Sequence, residues 1–188
     1  MLIALTGTPG TGKTSVAKIL QKKGFKVIDL NQFAREEGFI VGTDEKRDSD
    51  IVDIESINDY FKDFKADEIV IVDGHLSHLI SHVDKVILFR CKPEKLKLNL
   101  RKKNWNDAKI KENIEAEILD IILSECADIH DSKDIFEIDT SNITIRKSAN
   151  VIQNIISNNF KNIKKYKIGK IDWSEKILKD FLNQSRRK

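Results

Sequence analysis

The stretch Gly7-Thr8-Pro9-Gly10-Thr11-Gly12-Lys13-Thr14 lies between a short apolar run, Leu2-Ile3-Ala4-Leu5, and a helical segment, Ser15-Val16-Ala17-Lys18-Ile19-Leu20. A strand, a turn holding Gly-x-x-x-x-Gly-Lys-Thr and then a helix is the context in which this pattern cradles a phosphate chain. Gly7, Gly10 and Gly12 allow the close backbone approach and the unusual φ values that side chains would oppose. The turn aims successive N–H groups, and the positive end of the helix, at the anion. Lys13 is placed to reach the β- and γ-phosphates, and the Thr14 hydroxyl suits Mg²⁺, a hard ion that prefers oxygen. Gly10, Gly12, Lys13, Thr14 and Ser15 are therefore expected to bind Mg²⁺ and ATP.

The rest of the chain alternates strand and helix patterns. Strands are expected at Phe25–Asp29, Glu68–Asp73, Lys85–Phe89 and Ile135–Asp139; the unbroken apolar runs of the second and third indicate burial on both faces. Asn31 is expected to cap a short helix, Gln32 to Glu37, ended by Gly38. Further helices are expected at Ser56–Phe64, from Pro93, through the stripe Ile110, Ile114, Ile118, Ile121 and Ile122, and over 144–160. Residues 38–54, charged and with little periodicity, read as a surface lobe. The pattern predicts an α/β three-layer sandwich of the P-loop NTPase kind with a five-stranded parallel sheet and right-handed crossovers. Such sheets bind ligands beyond the carboxyl ends of their strands. The phosphate loop, Asp29, Asp73, Arg90 and Asp139 to Asn142 all fall at such ends, which predicts a single crevice.

With 188 residues the chain suits one domain. No apolar run approaches the ~20 residues of a membrane span, and the short first run leads straight into the loop, unlike a signal peptide. The two cysteines, Cys91 and Cys126, have no metal-ligand spacing and suit a reducing, cytoplasmic setting. Residues 161–188 carry ten basic and three acidic side chains, or +7, while the remainder carries −4. This basic extension, with Tyr166 and Trp173, suits either contact with RNA or a helix docked on the domain, capped by Asp172 or Ser174 and striped by Ile177, Leu178, Phe181 and Leu182.

The loop alone does not choose among GTPases, ATPases and small-molecule kinases. The Asn-Lys-x-Asp tetrapeptide that reads guanine is absent, as is a transporter-type signature. Two charged insertions, 38–54 and 101–109, suit a nucleotide or metabolite kinase whose lobes close over two substrates.

Four landmarks carry a resemblance: TGTPGTGKT at Thr6–Thr14, AREE at Ala34–Glu37, IVIVDGH at Ile69–His75, and NWNDAKIKENIEAEI at Asn104–Ile118. With these the chain resembles the atypical adenylate kinase family of archaea and eukaryotic nuclei, the adenylate kinase isoenzyme 6 or CINAP type. The resemblance implies an adenylate kinase-like domain over 1–160, with a monophosphate-binding insertion near 30–54 and a lid near 101–112, followed by the extension 161–188. It further implies transfer of the ATP γ-phosphate to AMP or related monophosphates, a side ATPase activity, and a part in small ribosomal subunit maturation beside a platform ribosomal protein.

Roles follow from chemistry and resemblance together. Asp73, ending a buried strand, is expected to anchor Mg²⁺, since a lone buried carboxylate needs a cation or donors. Through the resemblance, His75 orients a water for hydrolysis; a neutral imidazole both donates and accepts. His78 and His82 are read as solvated loop residues, and His130, in a polar turn, has no assigned role. Arg35 and Arg90 are the candidates for gripping the monophosphate and the moving phosphoryl group, because a guanidinium fork pairs bidentately with phosphate. Lys103-Asn104-Trp105 stands where the family shows Arg-Gly-aromatic, so Lys103 would supply the lid's charge without the fork. Thr140 and Asn142 are candidates to meet adenine. A metabolic monophosphate kinase, a ribosome-assembly ATPase and a kinase of a non-nucleotide metabolite remain open at this stage.

Overall fold

The computed structural model describes residues 1–45, 47, 49–161 and 163–174. Five strands, β1 (Leu2–Gly7), β2 (Lys26–Asp29), β5 (Val70–Asp73), β6 (Lys85–Arg90) and β7 (Ile135–Asp139), form one sheet in the order β2-β5-β1-β6-β7. Every pairing in it is parallel. Helices α1 (Lys13–Lys22) and α7 (Ile145–Ser157) cover one face. The strand residues show why both faces are buried. Ile3, Leu5, Ile71, Ile87 and Phe89 join α1 and α7 in one core, while Leu2, Val70 and Val72 join Leu30, Ala34, Ile57 and Phe61 in another. Alternate residues of a strand thus feed opposite layers.

The second layer comes from α2 (Leu30–Glu36) and α3 (Ile54–Lys62). Between them, β3 (Ile40–Asp44) and β4 (Ser49–Val52) pair antiparallel as a separate two-stranded sheet. Residues read from sequence as an irregular lobe are therefore largely a hairpin. Its half-buried alternation is masked by Gly42, Thr43 and charged neighbours. The cap of α2 also shifts: Asp29, not Asn31, accepts from the backbone N–H groups of Asn31 and Gln32.

Beyond β6 come α4 (Pro93–Arg101), α5 (Asp107–Ile118) and α6 (Ile121–Ile129). The isoleucine stripe is not one helix: Asp120 has φ 55°, and the chain turns there. The basic extension begins by docking. Lys167 bridges Phe136 of β7, the Gly169 N–H donates to Glu137 (2.7 Å), and Tyr166 packs on the edge of the α1/α7 core. Asp172 accepts from the Ser174 N–H. The apolar stripe from Ile177 to Leu182 lies outside the described residues.

Candidate active site

The loop forms as its residues dictate. Gly7 ends β1 with φ 134°, and a Cβ there would drive into the Phe89 carbonyl of β6; Gly12, at φ 100°, turns the chain into α1. The resulting cup opens onto a cleft of about 740 Å³, a size suited to small-molecule ligands. Gly10, Gly12, Lys13, Thr14 and Ser15 all line it, with Asp73 and His75 beside them. Register explains the convergence: Leu5 of β1 pairs with Asp73 of β5, and Asp73 with Asp29 of β2.

Lys13 is 7% exposed, and its ammonium donates to the carbonyls of Gly7 and Thr8. Burial lowers its pKa to about 8, against the opposing pull of Asp73. Asp73 is itself buried, and desolvation raises its pKa while Lys13 and the Thr14 hydroxyl draw it down. Its Oδ1 is the one buried side-chain oxygen or nitrogen lacking a hydrogen bond among the described residues. A buried acceptor with no donor, next to a hydroxyl on a phosphate loop, fits a hard cation. Thr14 and Asp73 would hold Mg²⁺, which would neutralise phosphate charge. No cluster of three or more His, Cys, Asp or Glu among the described residues is arranged to hold a metal by protein ligands alone.

His75 is half-buried at the cleft, and desolvation, aided by Lys13, lowers its pKa to about 4. Its ring is neutral at physiological pH. Lys103 and Lys109 both sit over the Trp105 ring, at 5.1 and 4.4 Å from its centroid, and all three line the cleft. Arg35 also lines it, paired with Asp50 of β4 at 2.7 Å. Arg47, between β3 and β4, pairs with Glu112 of α5 at 2.8 Å, and Lys109 donates to the Arg47 carbonyl. The hairpin and α5 therefore touch across the cleft.

Arg90 departs from expectation. It is 2% exposed, does not line the cleft, and is spent on Glu117 (2.9 Å), Glu137 (2.6 Å) and Asp120. Three carboxylates hold it, so no face of the guanidinium is presented to a phosphate. Thr140 and Asn142 also lie off the cleft; Thr140 donates to the carbonyls of Arg90 and Thr11. The ends of β1, β2 and β5 meet the crevice, and those of β6 and β7 are sealed.

His78 is not a solvated loop residue. It is fully buried, with Nδ1 2.8 Å from the Thr6 hydroxyl and Nε2 2.9 Å from Glu125, and His130 bonds to its carbonyl. The first of these contacts ties the turn carrying Asp73 and His75 to β1. His82 is exposed.

Sequence reasoning also passed over Glu117. This residue of α5 is 3% exposed and accepts from Thr8 Oγ1 (2.5 Å), Arg90 Nε, the Cys91 N–H and Trp173 Nε1. A signal was there: Glu117 falls at helical spacing after Ile110 and Ile114, a carboxylate on an apolar stripe.

A parallel sheet of this order, with a glycine-rich loop, lysine and hydroxyl after its central strand and a buried aspartate ending the neighbouring β5, defines a P-loop kinase fold. Solved structures agree on that frame. Shikimate kinase from Acinetobacter baumannii in complex with shikimate aligns at a TM-score of 0.58 and 19% identity, covering 85% of this chain and 95% of that one. Shikimate kinase from Bacteroides thetaiotaomicron gives 0.56 and 18%, covering 84% and 98%. Residues 3–120 match the family described as an AAA domain. The chain belongs to an adenylate kinase-like family of archaeal proteins. A Methanosarcina barkeri protein named "Putative adenylate kinase" is 41% identical over 94% of this chain and all of that one. An Archaeoglobus fulgidus protein of the same name is 40% identical over 100% and 99%.

Proposed function

We propose that this P-loop kinase transfers the γ-phosphate of Mg²⁺–ATP to AMP or another nucleoside monophosphate. The observation that carries the reading is the Asp73 oxygen without a hydrogen-bond partner among the described residues, beside Thr14 and Lys13 in a cleft that Arg35 also lines. The names of the archaeal relatives support the acceptor. Phosphoryl transfer asks little covalent chemistry of a protein; positioning and charge neutralisation carry most of it. In this reading Lys13 leaves the Gly7 and Thr8 carbonyls for the phosphates, Arg35 leaves Asp50 for the monophosphate, and Lys103 brings charge from the lid, near 101–112. The hairpin within 30–54 and the lid exclude water when both substrates are bound.

A neutral His75 favours a second activity, ATP hydrolysis, because an imidazole at the cleft can orient a water. Within the adenylate kinase isoenzyme 6 type, that activity would serve small ribosomal subunit maturation beside a platform ribosomal protein. The +7 extension would then meet ribosomal RNA through its charge, since Tyr166 and Trp173 are engaged with the domain. A cytoplasmic, reducing setting suits the free thiols of Cys91 and Cys126, both buried. No helix of the described residues is long and apolar enough to cross a membrane.

The test compares ADP formed from ATP plus AMP with phosphate released from ATP alone. Under the kinase reading AMP raises turnover by orders of magnitude, and His75→Ala lowers phosphate release while sparing transfer. Turnover indifferent to every monophosphate would defeat the reading. Loss of transfer along with hydrolysis in His75→Ala would defeat the division of roles.

A further inference from the structure

Glu117 is a charge the proposed chemistry does not use, and its surroundings are unusual. One oxygen, Oε1, collects Arg90, the Cys91 N–H and Trp173, while Oε2 accepts, among the described residues, from the Thr8 hydroxyl. Thr8 is the second residue of the phosphate loop. Its carbonyl accepts from the Thr11 N–H (3.3 Å), the Thr11 hydroxyl (2.9 Å) and the Lys13 ammonium (3.1 Å). A single buried carboxylate on α5 therefore pins the residue against which the loop folds and on which Lys13 rests. Hydrogen bonds to a charged group are the stronger kind, and burial strengthens them further. Helix α5 also carries Glu112 and follows Trp105, so its position and the closure of the cleft are linked.

We infer that Glu117, through the Thr8 hydroxyl, is a positioning residue that fixes the phosphate loop to α5, whose first residues belong to the proposed lid near 101–112, so that triphosphate binding and lid placement are one event. The inference rests on the kinase reading only in requiring that the loop bind Mg²⁺–ATP.

Calorimetric titration of the full chain with Mg²⁺–ATP tests it without reference to any acceptor. Thr8→Val removes one hydroxyl and leaves the Arg90 cluster otherwise intact; it is expected to weaken binding about tenfold, the loss of one charge-assisted hydrogen bond in part. Thr8→Ser should bind as the wild type does. Glu117→Gln should weaken binding similarly, and the double variant should be no worse than the weaker single, because both break one link. Glu137→Gln is the control. It disturbs the same arginine but touches no loop residue, so its urea midpoint should fall with the dissociation constant unmoved. Thr8→Val binding like the wild type, additive losses in the double variant, or an equal loss in Glu137→Gln would each overturn the coupling alone. A wild-type chain without affinity for Mg²⁺–ATP would overturn the kinase reading along with it.

Discussion

Lys13 sets the electrostatics of the cleft. Folded, its pKa lies near 8 because burial disfavours the charge, whereas unfolded it returns to the ordinary lysine value. Below pH 8 the protonated side chain therefore costs the folded state stability, and that cost fades as pH rises from about 8 toward the ordinary 10.5. A bound triphosphate reverses the balance by restoring a counter-charge. Mg²⁺–ATP binding should accordingly take up more of a proton at pH 8.5, where part of the buried lysine is neutral, than at pH 7, where it is mostly charged. Titrations in buffers of different ionisation enthalpy measure this; uptake that does not grow between the two pH values would count against a buried lysine meeting phosphate. The placement of the loop residues in the cleft was legible in the sequence because they sit within a dozen residues, and the burial of Asp73 was announced by the apolar run it ends. Arg90 was not legible. Its three carboxylates lie 27, 30 and 47 residues further along, and no local pattern says that a cation at a strand end will be consumed by acids brought in by folding. His78 failed for the same reason, its partners being Thr6 and Glu125.

At the scale of elements, the strands were legible wherever both faces are buried, since a strand covered on both sides has no solvent-facing position to fill with a polar residue. Two elements were not. The break between α5 and α6 needs Asp120 in a left-handed conformation that aspartate tolerates but does not advertise. The β3–β4 hairpin is short, polar and held outside the main sheet, so its pattern is weak. That hairpin bears on function through Arg47, whose guanidinium pairs with Asp44 on its own element and Glu112 on α5. Arg47 and Glu112 are exposed and Asp44 is half-buried, so both pairs are largely screened by salt and add little to stability. Their effect belongs to closure instead. Arg47→Ala should leave the unfolding midpoint unchanged while raising phosphate release relative to phosphoryl transfer, because a looser cleft admits water. The difference from the wild type should narrow as salt is raised from about 50 to about 300 mM, because the shorter Debye length weakens exposed pairs. A product ratio unmoved by the substitution would mean the hairpin and lid do not close through this contact.

Across the whole molecule, one rigid sheet presents two unlike surfaces to a single cleft. The loop, Lys13, Thr14 and Asp73 make one, and Asp29, Asn31, Arg35 and Asp50, from β2, α2 and β4, make the other, with Lys103, Trp105 and Lys109 lining the same cleft. The frame alone does not choose the acceptor, since a neighbour of the same fold was solved with shikimate. What separates a nucleotide acceptor from a small metabolite is whether the two surfaces act on one extended anion. A dinucleotide of two adenosines joined by five phosphates carries both substrates on one tether, so binding of its second half becomes intramolecular. If both halves find their surfaces, it should bind one per chain at least about a hundredfold more tightly than ATP. Arg35→Ala should remove most of that advantage and leave ATP affinity as it was, because Arg35 lies on α2 outside the phosphate loop, is 63% exposed and pairs with Asp50. An affinity no better than that of ATP would mean the second surface was built for something other than a nucleotide, with the phosphate loop untouched by the result.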